Sequence, residues 1–258
     1  MKLYCVTMRF CKNCLCLVAL LITLSGGLAF PQADPHPENV LAVGKRADRQ
    51  QVLIDLGVPK DIAEEYADLS PSMESEIGWF PVHGSKYPTV VLFLPCQDGS
   101  DGAYLYLLSQ STGKWSSVDS TVADCHYKGA VTIELAPVFS RSADALLLHH
   151  SCEGHGTGYA EHHLFIFDLS SGHLAKRFEK VEDLFVAGWG APGFEQHSIF
   201  VVVPSADGPS KIEETQDKRM FDVRTNQVSS ADRRLRRRNF TWSQEQHRFL
   251  ASQFRPVE

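Results

Sequence analysis

The chain has 258 residues, 43% hydrophobic and 22% charged, a balance that excludes an intrinsically disordered chain and a multi-span membrane protein. Lys and Arg number 25 against 31 Asp and Glu, a net charge of −6, which disfavours nucleic acid as the main partner. The length suffices for one sizeable domain, and 10% aromatic residues with only 4 Met favour a β-rich interior over a helical bundle.

Residues 1–29 read as a signal peptide. Lys2, Arg9 and Lys12 form a basic start without an acid, and Leu15–Leu24 is an apolar stretch of 10, too short for a bilayer core that takes about 20 residues. Gly27-Leu28-Ala29 supplies small residues for cleavage near Ala29. The expected product is secreted or periplasmic, soluble, and without a transmembrane anchor after cleavage. Cys5, Cys11, Cys14 and Cys16 leave with the signal, so their close spacing is not read as a zinc knot. Of the remaining Cys96, Cys125 and Cys152, an oxidising compartment favours one disulfide and one leftover thiol.

Residues 30–46, opening with Pro31, Pro35 and Pro37, read as a linker. Residues 47–75 read as a short helical cap. Val52, Leu53 and Leu56 share a face, Gly57 ends that segment and Pro59 opens the next. Ile62, Tyr66 and Leu69 then recur at helical spacing, with Asp61, Glu64, Glu65 and Asp68 toward water.

From residue 76 to 258 the pattern changes to short apolar runs between turns, which is strand patterning. Three landmarks recur. Pro81, Pro137 and Pro192, each in a similar setting, are 56 and 55 residues apart. Each precedes a buried-type strand: Val90–Leu94, Ala145–Leu148 and Ile199–Val203. A second apolar strand and a tight turn follow, with Gly113, Gly172 and Asn226 where a residue tolerant of positive φ is wanted. Asn239–Leu250 is one more hairpin that can complete the first unit of a closed array.

The fold expected is all-β, with about three four-stranded meander repeats and a short N-terminal helical cap. The segment Leu164-Phe165-Ile166-Phe167-Asp168 with its Ser170-Ser171-Gly172 turn resembles the outer hairpin of a β-propeller blade. A β-trefoil or a rolled sheet is the alternative. If closure needs more than three units, self-association follows. Cys96 and Cys152 occupy equivalent places in the first two units, so a bridge between them is the expected disulfide.

Five of the 11 histidines fall between His149 and His163. Alternation along the two strands allows His150 and His162 to converge, with His155 and Glu153 or Glu161 completing a tetrahedral set for a transition metal. The intervening Gly154, Gly156 and Gly158 are followed by strand patterning, so they are not a dinucleotide fingerprint. Asp98 and Asp101 occupy the matching loop of the first unit and can cup calcium, although the string is shorter than an EF-hand loop. Asp207 lies in the third. These loops, with Tyr159, form one variable end where a ligand is expected.

Arg233, Arg234, Arg236, Arg237 and Arg238 place five arginines in six residues of an acidic chain, an anion-binding candidate. No aromatic interleaves them, so stacking on bases is not supported. Asn239-Phe240-Thr241 is an N-glycosylation sequon. No G-x-S-x-G elbow or papain-like cysteine signature is present, and no residue signals an enzyme. The expected function is an exported binding or scaffold module that takes an extracytoplasmic protein or glycan at its loop-rich end. The alternative is a metal-dependent protein using the histidine cluster.

Overall fold

The computed structural model describes residues 36–68, 77–96, 102–124, 130–154, 158–187, 192–206, 208–223, 225, 227–228 and 233–257. The chain divides into two units, Met1–Pro37 and Glu38–Glu258, and the fold is that of the second.

Among the described residues three short helices come first: α1 (Pro37–Val43), α2 (Arg46–Asp55) and α3 (Lys60–Ala67). α1 falls inside the expected linker. Pro37 at its first position, Glu38 in its first turn and the buried Leu41 give that segment a helix start and an apolar anchor. Gly57, at φ 94°, follows α2, and a Cβ there would meet the Ser117 side chain at 3.2 Å. Its neighbour Leu56 accepts the Ser117 N–H at 2.8 Å, which ties the helical cap to a strand.

The fourteen strands among the described residues pair antiparallel, in two open sheets. The first is a meander of β1 (Gly78–Pro81), β2 (Thr89–Leu94), β3 (Gly102–Ser109) and β4 (Ser116–Asp124). The second runs in chain order through β5 (Val131–Ser140), β6 (Ala143–Gly154), β7 (Tyr159–Asp168), β8 (Ala175–Val186), β9 (Gly193–Val203), β10 (Lys211–Asp222), β12 (Arg234–Ser243) and β13 (Arg248–Ala251). Two short strands flank it: β11 (Gln227–Val228) on β10, and β14 (Arg255–Pro256) on β12. The all-β class with a helical cap is therefore what forms. The strands expected to form the first repeat make their own sheet, but those expected to form the second and third lie in one sheet, whereas propeller blades are separate sheets.

Three cores follow from period-2 alternation. Val90, Leu92 and Leu94 face the helices, against Leu53, Leu56, Ala63 and Tyr66. Val91, Phe93, Leu105 and Leu107 face the second sheet, against Leu146, Leu148 and Phe167. The opposite face of that second sheet, carrying Leu147, Leu164, Ile166, Phe178, Ile212, Phe240 and Phe249, packs on itself. Phe249 of β13 lies 5.8 Å from Phe178 of β8, and Phe240 lies 5.0 Å from Phe178 at a right angle. The second sheet is thus rolled about an aromatic interior, with bulges in its β7–β8 ladder aiding the bend.

The expected Cys96–Cys152 bridge is not formed. Cys152 is a thiol, and Cys96 is disulfide-bonded to a cysteine outside the described residues. Cys96 follows β2 of the first sheet and Cys152 lies in β6 of the second, so they do not hold equivalent places on adjacent blades. Cys96 lies two residues past Leu94, which stands in one row with Tyr104 and Val122. Cys125 comes next in the sequence after Asp124, the last residue of β4. Non-reducing peptide mapping is expected to recover Cys96 joined to Cys125 with Cys152 reduced; a Cys96–Cys152 peptide would refute this.

Candidate functional site

β10 carries the site. Pairing with β9 on one side and β12 on the other sets three rows across the concave face of the rolled sheet: Phe200–Glu214–Arg238, Ser198–Gln216–Arg236 and Gln196–Lys218–Arg234. The alternation that buries Ile212 opposite Phe240 also turns Glu214 and Gln216 inward, where they are 1% and 3% exposed. Buried polar groups need partners, and this row supplies them. Glu214 accepts from Ser198 Oγ at 3.0 Å, from Gln216 Nε2 at 3.0 Å and from Arg238 Nε at 2.5 Å. Gln216 Oε1 in turn accepts from Arg236 Nε at 2.9 Å and Nη2 at 2.7 Å.

Phe254, just before β14, completes the arrangement. Arg236 stacks over its ring at 3.8 Å and Arg238 at 4.1 Å, both within cation–π range. Lys180 and Gln196 line the same open depression of about 520 Å³, with Glu214, Gln216, Arg236 and Arg238 forming its polar floor. Lys218 lies in the next row, its ammonium 4.9 Å from the Phe194 ring. Burial pushes the Lys218 pKa below its ordinary value, and the neighbouring Arg236 and Arg234 push it the same way. Cations outnumber carboxylates here, and two guanidinium groups are already oriented. Oriented guanidinium groups are the kind of group that can pair with a carboxylate, phosphate or sulfate.

The arginine run is therefore split by the pleat. Arg234, Arg236 and Arg238 belong to the concave rows. Arg237 stands opposite Thr215 and Arg255 on the other face, and Arg233 is bound to Asp217 at 2.8 Å. Ser198, Glu214, Gln216, Lys180, Lys218 and Phe254 were not singled out in the sequence. The signal for β10 was present: Ile212, Glu214, Gln216 and Lys218 continue one period-2 stripe from an apolar residue.

The two histidines expected to converge on a metal, His150 and His162, are not brought together. In the β6–β7 ladder His150 stands opposite His163, and His162 stands opposite Ser151, so His150 and His162 project to opposite faces. His163 stacks on Phe165 and pairs with Glu161 at 2.9 Å. His162 and His197 both contact Asp183. Among the described residues no three His, Cys, Asp or Glu side chains are placed to hold a metal ion. His155, Asp98, Asp101 and Asp207 lie outside the described residues, as does the side chain of Glu153. Tyr159 is at the sheet end, and its hydrogen bond to Glu161 pushes its pKa up to about 12.

Two measurements test this network. Glu214→Ala strands the Arg238 guanidinium, which is only 20% exposed, and is expected to cost about 3 kcal/mol in urea unfolding, the low end for breaking a buried pair. Glu214→Leu combined with Arg238→Met should recover most of that loss. The second concerns His149, whose Nδ1 lies 2.8 Å from Glu182. That hydrogen bond raises the His149 pKa above 6.5, outweighing the lowering from burial. A raised folded-state pKa gives stability that is fully present below pH 6.5 and lost as pH rises through the raised value. Thermal unfolding against pH should show this slope, and His149→Gln should flatten it.

The chain matches no protein-family model, and no curated protein or solved structure shows a significant match.

Proposed function

We propose that this protein is an exported binding module that holds an anionic group in the concave basin of its rolled sheet, with Arg236, Arg238 and Lys180 as the contacting residues. The single observation that carries the reading is the orientation of Arg236 and Arg238. Each is held by a buried hydrogen-bond partner on β10 and stacked on Phe254, and neither is left to search rotamers on binding. A solvated surface arginine needs neither device. The concave face thus replaces the loop end as the preferred place for the ligand.

Export is supported by the basic start, the short apolar stretch and the small residues before Ala29. No helix among the described residues is long and apolar enough to cross a membrane. The recurring prolines and turns are read as copies of one four-stranded meander, two of which have fused edge to edge.

A fully sulfated heparin disaccharide is the probe, titrated by calorimetry at low and at physiological salt. Binding is expected to weaken with salt, because the basin is open to solvent. Arg236→Gln and Lys180→Gln should each weaken it about tenfold, since a charge-assisted hydrogen bond is worth about 1.5 kcal/mol or more. Arg236→Lys should restore only part of the loss, because it keeps the charge without the planar fork. Binding that ignores both salt and Arg236→Gln would overturn the reading.

A further inference from the structure

The basin is not the end of the cationic surface. On the outer face of β12, Arg237 and Arg255 stand directly opposite each other across the β12–β14 ladder. Both are exposed, and among the described residues neither forms an ion pair. Glu213, one row along, is already bonded to Lys211 at 2.7 Å. Like charges placed opposite each other in a sheet are destabilising, and the attraction of Arg237 for Glu213 is secondary to that of Lys211.

The pair borders a second open depression of about 590 Å³, lined also by Arg238, Ser252 and Gln253. Arg238 therefore edges both depressions. The reason lies in the chain path. β13 ends at Ala251 and β14 begins at Arg255, so residues 252–254 leave a gap in the last strand of the rolled sheet. Phe254 turns through that gap onto Arg236 and Arg238, while Arg255 next to it faces outward with Arg237. The two cationic depressions meet at the rim.

We infer that the ligand is an extended sulfated polysaccharide that crosses this rim, with one anionic group in the basin and the next on Arg237 and Arg255. This rests on the anion-binding reading of the basin and names the class of ligand. A single small anion has no use for the outer pair. A single-stranded nucleic acid would need exposed aromatic platforms for its bases, and Phe254 already has both guanidinium groups stacked against it. Sulfate groups at intervals along a sugar chain need only spaced guanidinium forks.

The test compares a heparin disaccharide with an octasaccharide on the full-length protein. The octasaccharide is expected to bind at least tenfold more tightly than the disaccharide. Combined Arg237→Gln and Arg255→Gln should abolish that gain and leave the disaccharide affinity unchanged. Equal affinity for the two lengths, or a gain that survives both substitutions, would overturn the rim-crossing ligand while the basin stands. If the disaccharide fails to bind and the octasaccharide binds through Arg237 and Arg255 alone, the basin reading fails instead. An eight-residue oligothymidylate that displaces the octasaccharide at equal concentration would overturn the assignment to a polysaccharide.

Discussion

The β6–β7 hairpin has to be buried on both faces, and the rest of the structure answers to that. Leu146, Leu148 and Phe167 point one way, Leu147, Leu164 and Ile166 the other. An antiparallel hairpin with one wet face needs a single partner layer, whereas this one needs two. The first sheet, backed by its helices, covers one side. The long meander that follows the hairpin covers the other side, bending round to bring Phe240 and Phe249 onto Phe178. The basin is a consequence of this roll, since a flat sheet would have left Arg236 and Lys180 on an open surface far from each other.

Within the roll, the interior changes character along β10 in a single step, from Ile212 to Glu214. An apolar pair at the Glu214–Arg238 position would give nearly as much stability, because desolvating two charges offsets most of their attraction. What the ion pair supplies is a guanidinium fixed in direction. Gln216 does the same for Arg236 at no cost in charge, its amide oxygen accepting from the arginine while its nitrogen donates to Glu214. The polar row is coupled, so neither arginine can be reoriented without disturbing the other's anchor.

The strands and the helical cap were legible because each rests on local periodicity, and so were the buried faces of Val90–Leu94 and Ala145–Leu148; Ile199–Val203, which also reads as a buried strand, instead leaves Ile199 and Val201 more than half exposed. Gly113 and Gly172 do sit at φ 82° and 73° in tight turns, as the small-residue pattern implied. The sheet assignment was not legible, because the spacing of repeats says how long a unit is and not which edge it pairs with. That one gap explains the unformed Cys96–Cys152 bridge. The histidine cluster misled for a narrower reason: adjacent histidines at 149–150 and 162–163 offer either face, and only the register, with His150 opposite His163, chooses between them. Arg233–Arg238 looked like one patch because charge runs are read by composition, while the pleat divides them. Phe254 carried no signal at all, since its role depends on a gap between two short edge strands.

The acidity of the whole chain and the basicity of the basin are compatible because they act over different ranges. In physiological salt the Debye length is about 8 Å, so the surplus acids elsewhere are screened from the basin, while Arg234, Arg236 and Lys218 are close enough to act on one another. The Lys218 pKa is lowered first by burial and then by these two arginine neighbours. An anion placed among them would oppose the second cause and leave the first.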